Sequence, residues 1–139
     1  MPLRVHEHIH CPIEKAFDLM ADARNEATWN SPVSRAELLS EEPVRPGSRF
    51  LILNRGQEYI GTIARHERPH QVTFEVTGKH LDITGSFSFA TDGDGTGLDA
   101  EFDFRPRRAM KLLFPLMAPL VRRDLPRQLA SFKSFCERS

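Results

Sequence analysis

The chain has little of several residue types that mark particular functional classes. Lys plus Arg number 19 and Asp plus Glu number 19, so the formal net charge is zero. A zero balance gives no overall attraction to nucleic acid, and we expect no nucleic-acid partner. Only two cysteines occur, Cys11 and Cys136, and they fit neither a metal-binding spacing nor a disulfide framework. A contact between the chain ends stays open, but we expect reduced thiols and a cytoplasmic protein.

Long hydrophobic runs and catalytic motifs are also missing. The most apolar stretch, LLFPLMAPLV at residues 112–121, is about half of what a membrane span needs, so no transmembrane segment is expected. The first residues lack the apolar core of a signal peptide. No Gly-x-Ser-x-Gly elbow, phosphate loop or dinucleotide fingerprint occurs. We therefore expect no cofactor, and catalysis stays open, since Glu7, Tyr59 or a histidine could supply acid–base chemistry.

The amino-terminal part predicts a strand followed by two short helices. Residues 3–10 alternate, which places the three histidines on one face and the following residues on the other: Leu3, Val5, Glu7 and Ile9. Pro12 suits the start of a helix, and Ile13, Phe17 and Met20 recur at helical spacing. Asp22 can cap a second short helix that ends near Trp29, the only tryptophan.

Residues 33–105 predict a β-sheet with one dry face and one wet face. Alternation of apolar and polar residues is clearest in residues 71–77, 80–90 and 97–104, which is typical of an antiparallel sheet covered on one side. Arg55-Gly56-Gln57 indicates a short hairpin turn. Residues 50–53 are apolar on both faces, so their side-chain direction is not assigned.

The last segment, about residues 107–138, predicts a long helix. Leu125, Leu129, Phe132 and Cys136 step by four, three and four. The segment also contains Pro115, Pro119 and Pro126. An interior proline removes a backbone donor and costs about 3 kcal/mol, so we expect a kink or break near Pro115 and bends at the other two.

This order of elements resembles the START-like superfamily, in its polyketide cyclase/dehydrase-like branch, almost from end to end. The residues that carry the resemblance are Pro12, Phe17, Asp22, Trp29, the turn at residues 47–50, Pro69, Leu129, Phe132, Lys133 and Glu137. The resemblance implies one α+β helix-grip domain over residues 1–139. In that fold a curved antiparallel sheet of about seven strands wraps around a long C-terminal helix, with two short helices between strands 1 and 2.

The resemblance also implies an internal cavity between the sheet and the C-terminal helix that binds a hydrophobic small molecule, aromatic, polyketide-like or lipid-like. Candidate ligand-binding residues are Glu7, Phe17, Trp29, Phe50, Tyr59, Phe74, Phe87, Phe102, Leu116 and Leu120. One alternative is an enzyme of the polyketide cyclase/dehydratase type. A further alternative is a lipid-transfer or partner-binding module, suggested by the basic residues that flank residues 112–121. The chain is expected to be a monomer or a homodimer.

Two candidate residues each have two interpretations. Glu7 is a carboxylate on an otherwise apolar strand face, so it is either a strand-end residue near solvent or a polar anchor for a ligand. Trp29 either fills the core or lies at the boundary between the core and the cavity mouth.

Two further motifs suggest metal ions. Alternate histidines at His6, His8 and His10 can share an ion, but a site needs a further ligand and the sequence points to none. Residues 92–97, DGDGTG, resemble the start of a calcium loop, yet both flanks alternate with period two, which indicates a hairpin tip. We therefore expect a solvated histidine face and no metal.

Overall fold

The computed structural model describes residues 2–139. The first strand, β1 (Leu3–Ile9), is followed by α1 (Ile13–Ala21), a 3-10 turn (Ala23–Asn25) and α2 (Glu26–Trp29). The remaining strands are β2 (Val33–Leu38), β3 (Arg49–Asn54), β4 (Gln57–Glu67), β5 (Gln71–Gly78), β6 (Leu81–Asp92) and β7 (Gly95–Pro106). The chain ends with α3 (Met110–Arg138).

All seven strands form one antiparallel sheet in the order β1-β7-β6-β5-β4-β3-β2. The two short helices lie between the first and second strands, which form opposite edges of the sheet. The long helix α3 packs against β1, β7, α1 and α2. The predicted helix-grip architecture is confirmed.

The register of β1 agrees with the predicted alternation. Glu7 is paired with Leu98 of β7, whose side chain is fully buried, so Glu7 belongs to the interior face of the sheet. Burial also assigns the side-chain directions of residues 50–53. Phe50 and Ile52 are buried and face the interior, whereas Leu51 and Leu53 are only partly buried.

Two turns form for local reasons. In the β3–β4 hairpin, Arg55 and Gly56 have φ of 50° and 78°, the left-handed conformations that a tight two-residue hairpin turn requires. At the 3-10 turn, the Asp22 side chain accepts a hydrogen bond from the backbone N–H of Arg24 at 3.1 Å, which is the predicted cap.

The first helix closes one end of the sheet. Ile13, Phe17 and Met20 are buried as predicted, and the Phe17 ring packs edge-on against Phe89 with 5.7 Å between centroids. Arg68, in the turn between β4 and β5, donates hydrogen bonds to both carboxylate oxygens of Asp18 at 2.7 and 2.8 Å.

The long helix is continuous from Met110 to Arg138, so the expected break near Pro115 is wrong. All three prolines lie on the exposed face of α3, where the carbonyl groups that lose their helical partner can bond to water. The buried residues of α3 are confined to its second half: Leu125, Leu129, Phe132 and Cys136.

The chain ends meet through the two cysteines, both of which are free and buried. Burial raises the pKa of the Cys136 thiol to about 12, and the neighbouring Cys11 thiol adds to that rise. Both thiols therefore stay protonated at neutral pH and take part in packing.

Candidate functional site

A cavity of about 570 Å³ lies between the inner face of the sheet and α3. Small-molecule sites in proteins occupy roughly 300–1,000 Å³, so the volume suits a ligand. Exposed polar residues of the β3–β4 hairpin and the β5–β6 turn, with half-buried polar residues of α3, border the cavity at one end of the sheet. The cavity opens at this end, and α1 closes the opposite one.

An aromatic row runs along the cavity wall from β5 to α3. The rings of Phe74 and Phe87 meet edge-on with centroids 6.4 Å apart, and those of Phe87 and Phe102 meet at 5.6 Å. Phe104 then stacks on Phe102 at 6.3 Å and contacts Phe114 of α3 at 5.7 Å. Edge-to-face and stacked geometries leave ring faces and edges that an aromatic ligand can contact.

One face of α3 forms the opposite wall. The residues of α3 that line the cavity include Met110, Phe114, Met117, Val121, Asp124 and Gln128. Their spacing of four, three, four, three and four is that of one helical face. Leu116 lies off this face and is 77% exposed, so the expectation that it points inward is wrong. Leu120 lines the cavity at its rim, with 52% of its surface exposed.

The cavity brings together five of the other predicted residues: Trp29, Tyr59, Phe74, Phe87 and Phe102. The Trp29 ring also packs against Phe132 of α3, with 5.2 Å between centroids. Trp29 thus fills the core and lines the cavity at the same time, which joins the two interpretations of its role.

The remaining predicted residues lie elsewhere. Phe17 and Phe50 are fully buried in the core, where Phe17 packs at the closed end and Phe50 contacts Phe74 at 6.3 Å. Glu7 is half-buried on β1 and lies outside the cavity lining. A direct ligand contact stays a prediction for each residue of the original set.

Two polar residues of the cavity wall were missed by sequence reasoning. Glu26 is the first residue of α2 and lines the cavity, and its side chain is half-buried. Burial raises the pKa of Glu26 to about 7, and the side-chain amide of Asn30 opposes part of that rise. Asn30 is only 5% exposed, and its Oδ1 atom has no hydrogen-bond partner within residues 2–139.

A signal for Glu26 and Asn30 was present in the sequence. Glu26 precedes Trp29 by three residues and Asn30 by four, so in a helical segment Glu26 shares a face with both. Trp29 was expected to face inward, and that expectation extends to Glu26. Apolar periodicity marks inward positions only where the side chain is apolar, so it does not mark this polar pair.

Charged and polar groups surround the cavity mouth. Arg55 of the β3–β4 turn pairs with Asp124 of α3 at 3.4 Å. Glu58, Lys79 and His80 also border the cavity, all with exposed side chains. A bound ligand would therefore have its apolar body among the phenylalanines and its outer end among charged groups.

An exposed apolar ridge runs along the first half of α3, and two of its five members, Met117 and Leu120, also line the cavity. Its members are Leu112, Leu113, Leu116, Met117 and Leu120, all between 41% and 81% exposed. Across residues 2–139, no helix combines the length and the hydropathy needed to cross a membrane.

Comparisons with known proteins agree with the fold. The family described as "Polyketide cyclase / dehydrase and lipid transport" matches residues 3–137. No curated protein matches the sequence. A START superfamily protein from Mycobacterium smegmatis has a similar solved structure, with a TM-score of 0.77 and 17% identity over 99% of this chain and 97% of that one.

Two further solved structures share the architecture. A protein from Thermus thermophilus gives a TM-score of 0.75 at 18% identity, covering 98% of this chain and 97% of that one. The di-domain ARO/CYC protein BexL from the BE-7585A biosynthetic pathway gives a TM-score of 0.72 at 19% identity. This match covers 99% of the present chain but 49% of BexL. At these identities the likeness is one of fold.

Proposed function

The chain belongs to the polyketide cyclase / dehydrase and lipid transport family, and on that premise we propose that it binds an aromatic or polyketide-like small molecule in the cavity beneath α3. The observation that carries the proposal is the aromatic row from Phe74 to Phe114 along a cavity of about 570 Å³. The solved ARO/CYC protein of similar fold supports this ligand class.

The Glu26–Asn30 pair narrows the ligand chemistry. Both residues line the cavity and carry acceptor oxygens, and buried polar groups in proteins are nearly always hydrogen-bonded. A ligand hydroxyl that donates to either oxygen would supply the partner that Asn30 Oδ1 lacks. The ligand that fits is therefore a flat aromatic molecule with a phenolic or alcoholic O–H on its inner end.

Trp29 provides the readout for a binding experiment, because it is the only tryptophan and it lines the cavity. We expect 2-naphthol to change Trp29 fluorescence saturably and to bind more tightly than 2-methoxynaphthalene, which has no donor. Glu26→Gln should weaken naphthol binding by about 1–3 kcal/mol, the typical cost of a mismatched buried polar contact.

A matched pair of substitutions on β6 tests the location. Gly85 lines the cavity, and a side chain there would point toward Phe87 and Phe102, so Gly85→Leu should fill the space and abolish binding. Ser86→Leu places the same side chain on the outer face of the same strand and should leave binding unchanged. Equal affinity in Gly85→Leu and the unsubstituted protein would exclude the cavity as the binding site.

A second candidate function is catalysis of the cyclase or dehydratase type. Glu26 favours it, because a carboxyl group with a pKa of about 7 can both donate and accept a proton near neutral pH. The aromatic-lined cavity could also hold a flexible poly-β-ketone chain in a reactive shape. Turnover of a poly-β-ketone mimic that falls roughly 100-fold or more in Glu26→Gln would establish this function. Saturable binding without turnover would exclude catalysis of this substrate and leave ligand binding as the function.

The lipid-transfer alternative depends on the exposed ridge of α3. Basic residues flank that ridge, and together they suit the surface of an anionic membrane. Co-flotation with vesicles of phosphatidylcholine and phosphatidylserine at low salt should then be lost in Leu112→Asp/Leu116→Asp. Leu39→Asp, at an exposed leucine away from α3, is the control. Absence of flotation of the unsubstituted protein would remove this alternative.

A further inference from the structure

The alternate histidines and the glycine-rich residues 92–97 do not line the cavity, and they meet at the closed end of the sheet. His6 and His8 of β1 are followed by His10 directly after the strand, and residues 92–97 form the tip of the β6–β7 hairpin. Since His8 is paired with Gly97 and Ile9 with Thr96, the hairpin tip lies directly beside the end of β1. Residues separated by more than 80 positions in the sequence thus become neighbours.

The ligand atoms of His8, His10 and Asp94 lie within 4.8 Å of one another. We propose that these three residues form a binding site for one divalent transition-metal ion of the zinc class. The sequence alone offered three alternate histidines on one strand face and no further ligand. The register between β1 and β7 supplies that ligand from the hairpin.

The ring of His8 is already oriented for coordination. Its Nδ1 atom lies 3.0 Å from a carboxylate oxygen of Asp92. A carboxylate in this position holds the proton on Nδ1 and leaves the lone pair of Nε2 free. Metal-ligating histidines nearly always have such a partner, so Asp92 is assigned the role of a positioning residue.

The β6–β7 hairpin leaves space beside the Nε2 atom of His8. Gly95 follows Asp94, and a Cβ atom at position 95 would lie 3.2 Å from His8 Nε2 and would also clash with the backbone carbonyl of Ile9. Any side chain at position 95 would crowd the Nε2 atom of His8. The absence of a side chain at position 95 keeps the coordinating atoms accessible to an ion.

The last turns of α3 fix the backbone that carries both histidines. The Lys133 ammonium donates to the carbonyl oxygen of His8 at 2.5 Å, and the backbone N–H of His10 donates to Glu137 at 2.8 Å. Lys133 and Glu137 also pair with each other at 3.1 Å. The end of β1 is thereby held in place although the imidazole of His10 is exposed.

The donor set indicates the class of ion. Two imidazoles and one carboxylate suit zinc and similar first-row ions, whereas calcium takes six to eight oxygen ligands. With metal–ligand bonds of about 2.1 Å, tetrahedral ligand atoms lie about 3.4 Å apart, so atoms that are up to 4.8 Å apart must approach by at most about 1.4 Å on binding. His10 and Asp94 are exposed and can rotate to do this. A fourth position would remain for water.

The test uses untagged protein, stripped by dialysis against a chelator and titrated calorimetrically with zinc chloride. We expect one zinc ion per chain and a melting temperature that rises with zinc concentration, because the ion binds only the folded arrangement. Asp94→Asn, His10→Ala and Asp92→Asn should each weaken zinc binding by at least about 10-fold. Excess calcium chloride should not displace the zinc.

His6→Ala is the matched control. His6 lies on the same strand and face, and its Nδ1 atom is 2.8 Å from Asp99, but it is not part of the three-ligand cluster. We expect this variant to bind zinc as the unsubstituted protein does. Absence of zinc binding at micromolar concentration would overturn the proposal. So would affinity that is unchanged in Asp94→Asn, or a loss in His6→Ala equal to that in His10→Ala.

Discussion

At the scale of single residues, Glu26 combines the properties expected of a functional group in this cavity. It lies among aromatic side chains, it has a raised pKa, and its neighbour Asn30 has an acceptor oxygen without a partner in the described chain. Charged groups in apolar surroundings reduce stability, and they persist mainly where they serve a function. Glu7, the carboxylate singled out from the sequence, lies on the interior face of β1 but outside this cavity.

The raised pKa of Glu26 predicts how stability changes with pH. The pKa of the carboxyl group is about 7 in the folded protein against 4.5 as its ordinary value, so between these limits the folded state binds a proton that the unfolded state has lost. The free energy of unfolding must therefore fall as pH rises from about 4.5 to about 7. The stability that depends on protonated Glu26 is fully present below pH 4.5.

Urea unfolding at several pH values checks this prediction. Glu26→Gln should not show this pH-dependent loss of stability. Compared with the unsubstituted protein, its free energy of unfolding should therefore fall less between pH 4.5 and pH 7. The exposed Glu41→Gln is the control and should keep the original slope. Parallel pH profiles for the unsubstituted protein and Glu26→Gln would show that the carboxyl group is solvated.

Ligand binding should depend on the same ionisation. A carboxylate accepts a stronger hydrogen bond than a neutral carboxyl group, so the affinity for 2-naphthol should rise as pH increases from 6 to 8. The other ionisable groups that border the cavity lie at its mouth: His80, Lys79, Glu58 and the Arg55–Asp124 pair. Fluorescence titrations of Glu26→Gln should lose the pH dependence, whereas His80→Gln should keep it.

At the scale of elements, α3 has two halves with different contacts. The second half buries Leu125, Leu129, Phe132 and Cys136, while the first half has no fully buried residue among 110–124 and contains two of the prolines. Each proline removes one helical hydrogen bond. The first half is also the wall of the cavity nearest the mouth, so the least stable part of the helix is the part that a ligand must pass.

Hydrogen exchange should reveal this difference. We expect amides of residues 112–124 to exchange faster than those of residues 127–136, because local opening is easiest where few apolar contacts must be broken. Saturation with 2-naphthol should slow exchange in the first half more than in the second. Uniform exchange along α3, with or without ligand, would contradict the prediction.

At the scale of the whole molecule, charge is balanced overall but uneven along the chain. Residues 105–139 carry nine basic and two acidic side chains, and Arg107, which follows β7, pairs with Asp82 of β6 at 2.6 Å. Such pairs contribute little to stability at the surface, but they hold the start of α3 close to the cavity mouth. The two ends of the sheet consequently differ: one is closed by α1 and the other is bordered by charges.

The zero net charge predicts the solubility of the protein. The sequence isoelectric point is about 7.0, and proteins without net charge associate most readily. Precipitation by polyethylene glycol should therefore need the least precipitant near pH 7 and more at pH 5 and pH 9. A solubility that is independent of pH would indicate that specific contacts between copies dominate over net charge.

The sequence by itself determined the elements, their order and the two faces of the sheet. Alternation in residues 3–10 and 71–77, and the spacing of Leu125, Leu129 and Phe132, record which side of each element is buried, because burial of apolar surface acts on every residue separately. The family resemblance then predicted how these elements join.

Only the tertiary structure decided which side chains meet. The cavity depends on the helical face that α3 turns to the sheet, and this excluded Leu116 while it included Met117 and Val121. Glu26 acquires its pKa from walls contributed by distant strands, and Asp94 reaches His8 and His10 only through the pairing of β1 with β7. Periodicity describes one element at a time, whereas a site is made by contacts between elements.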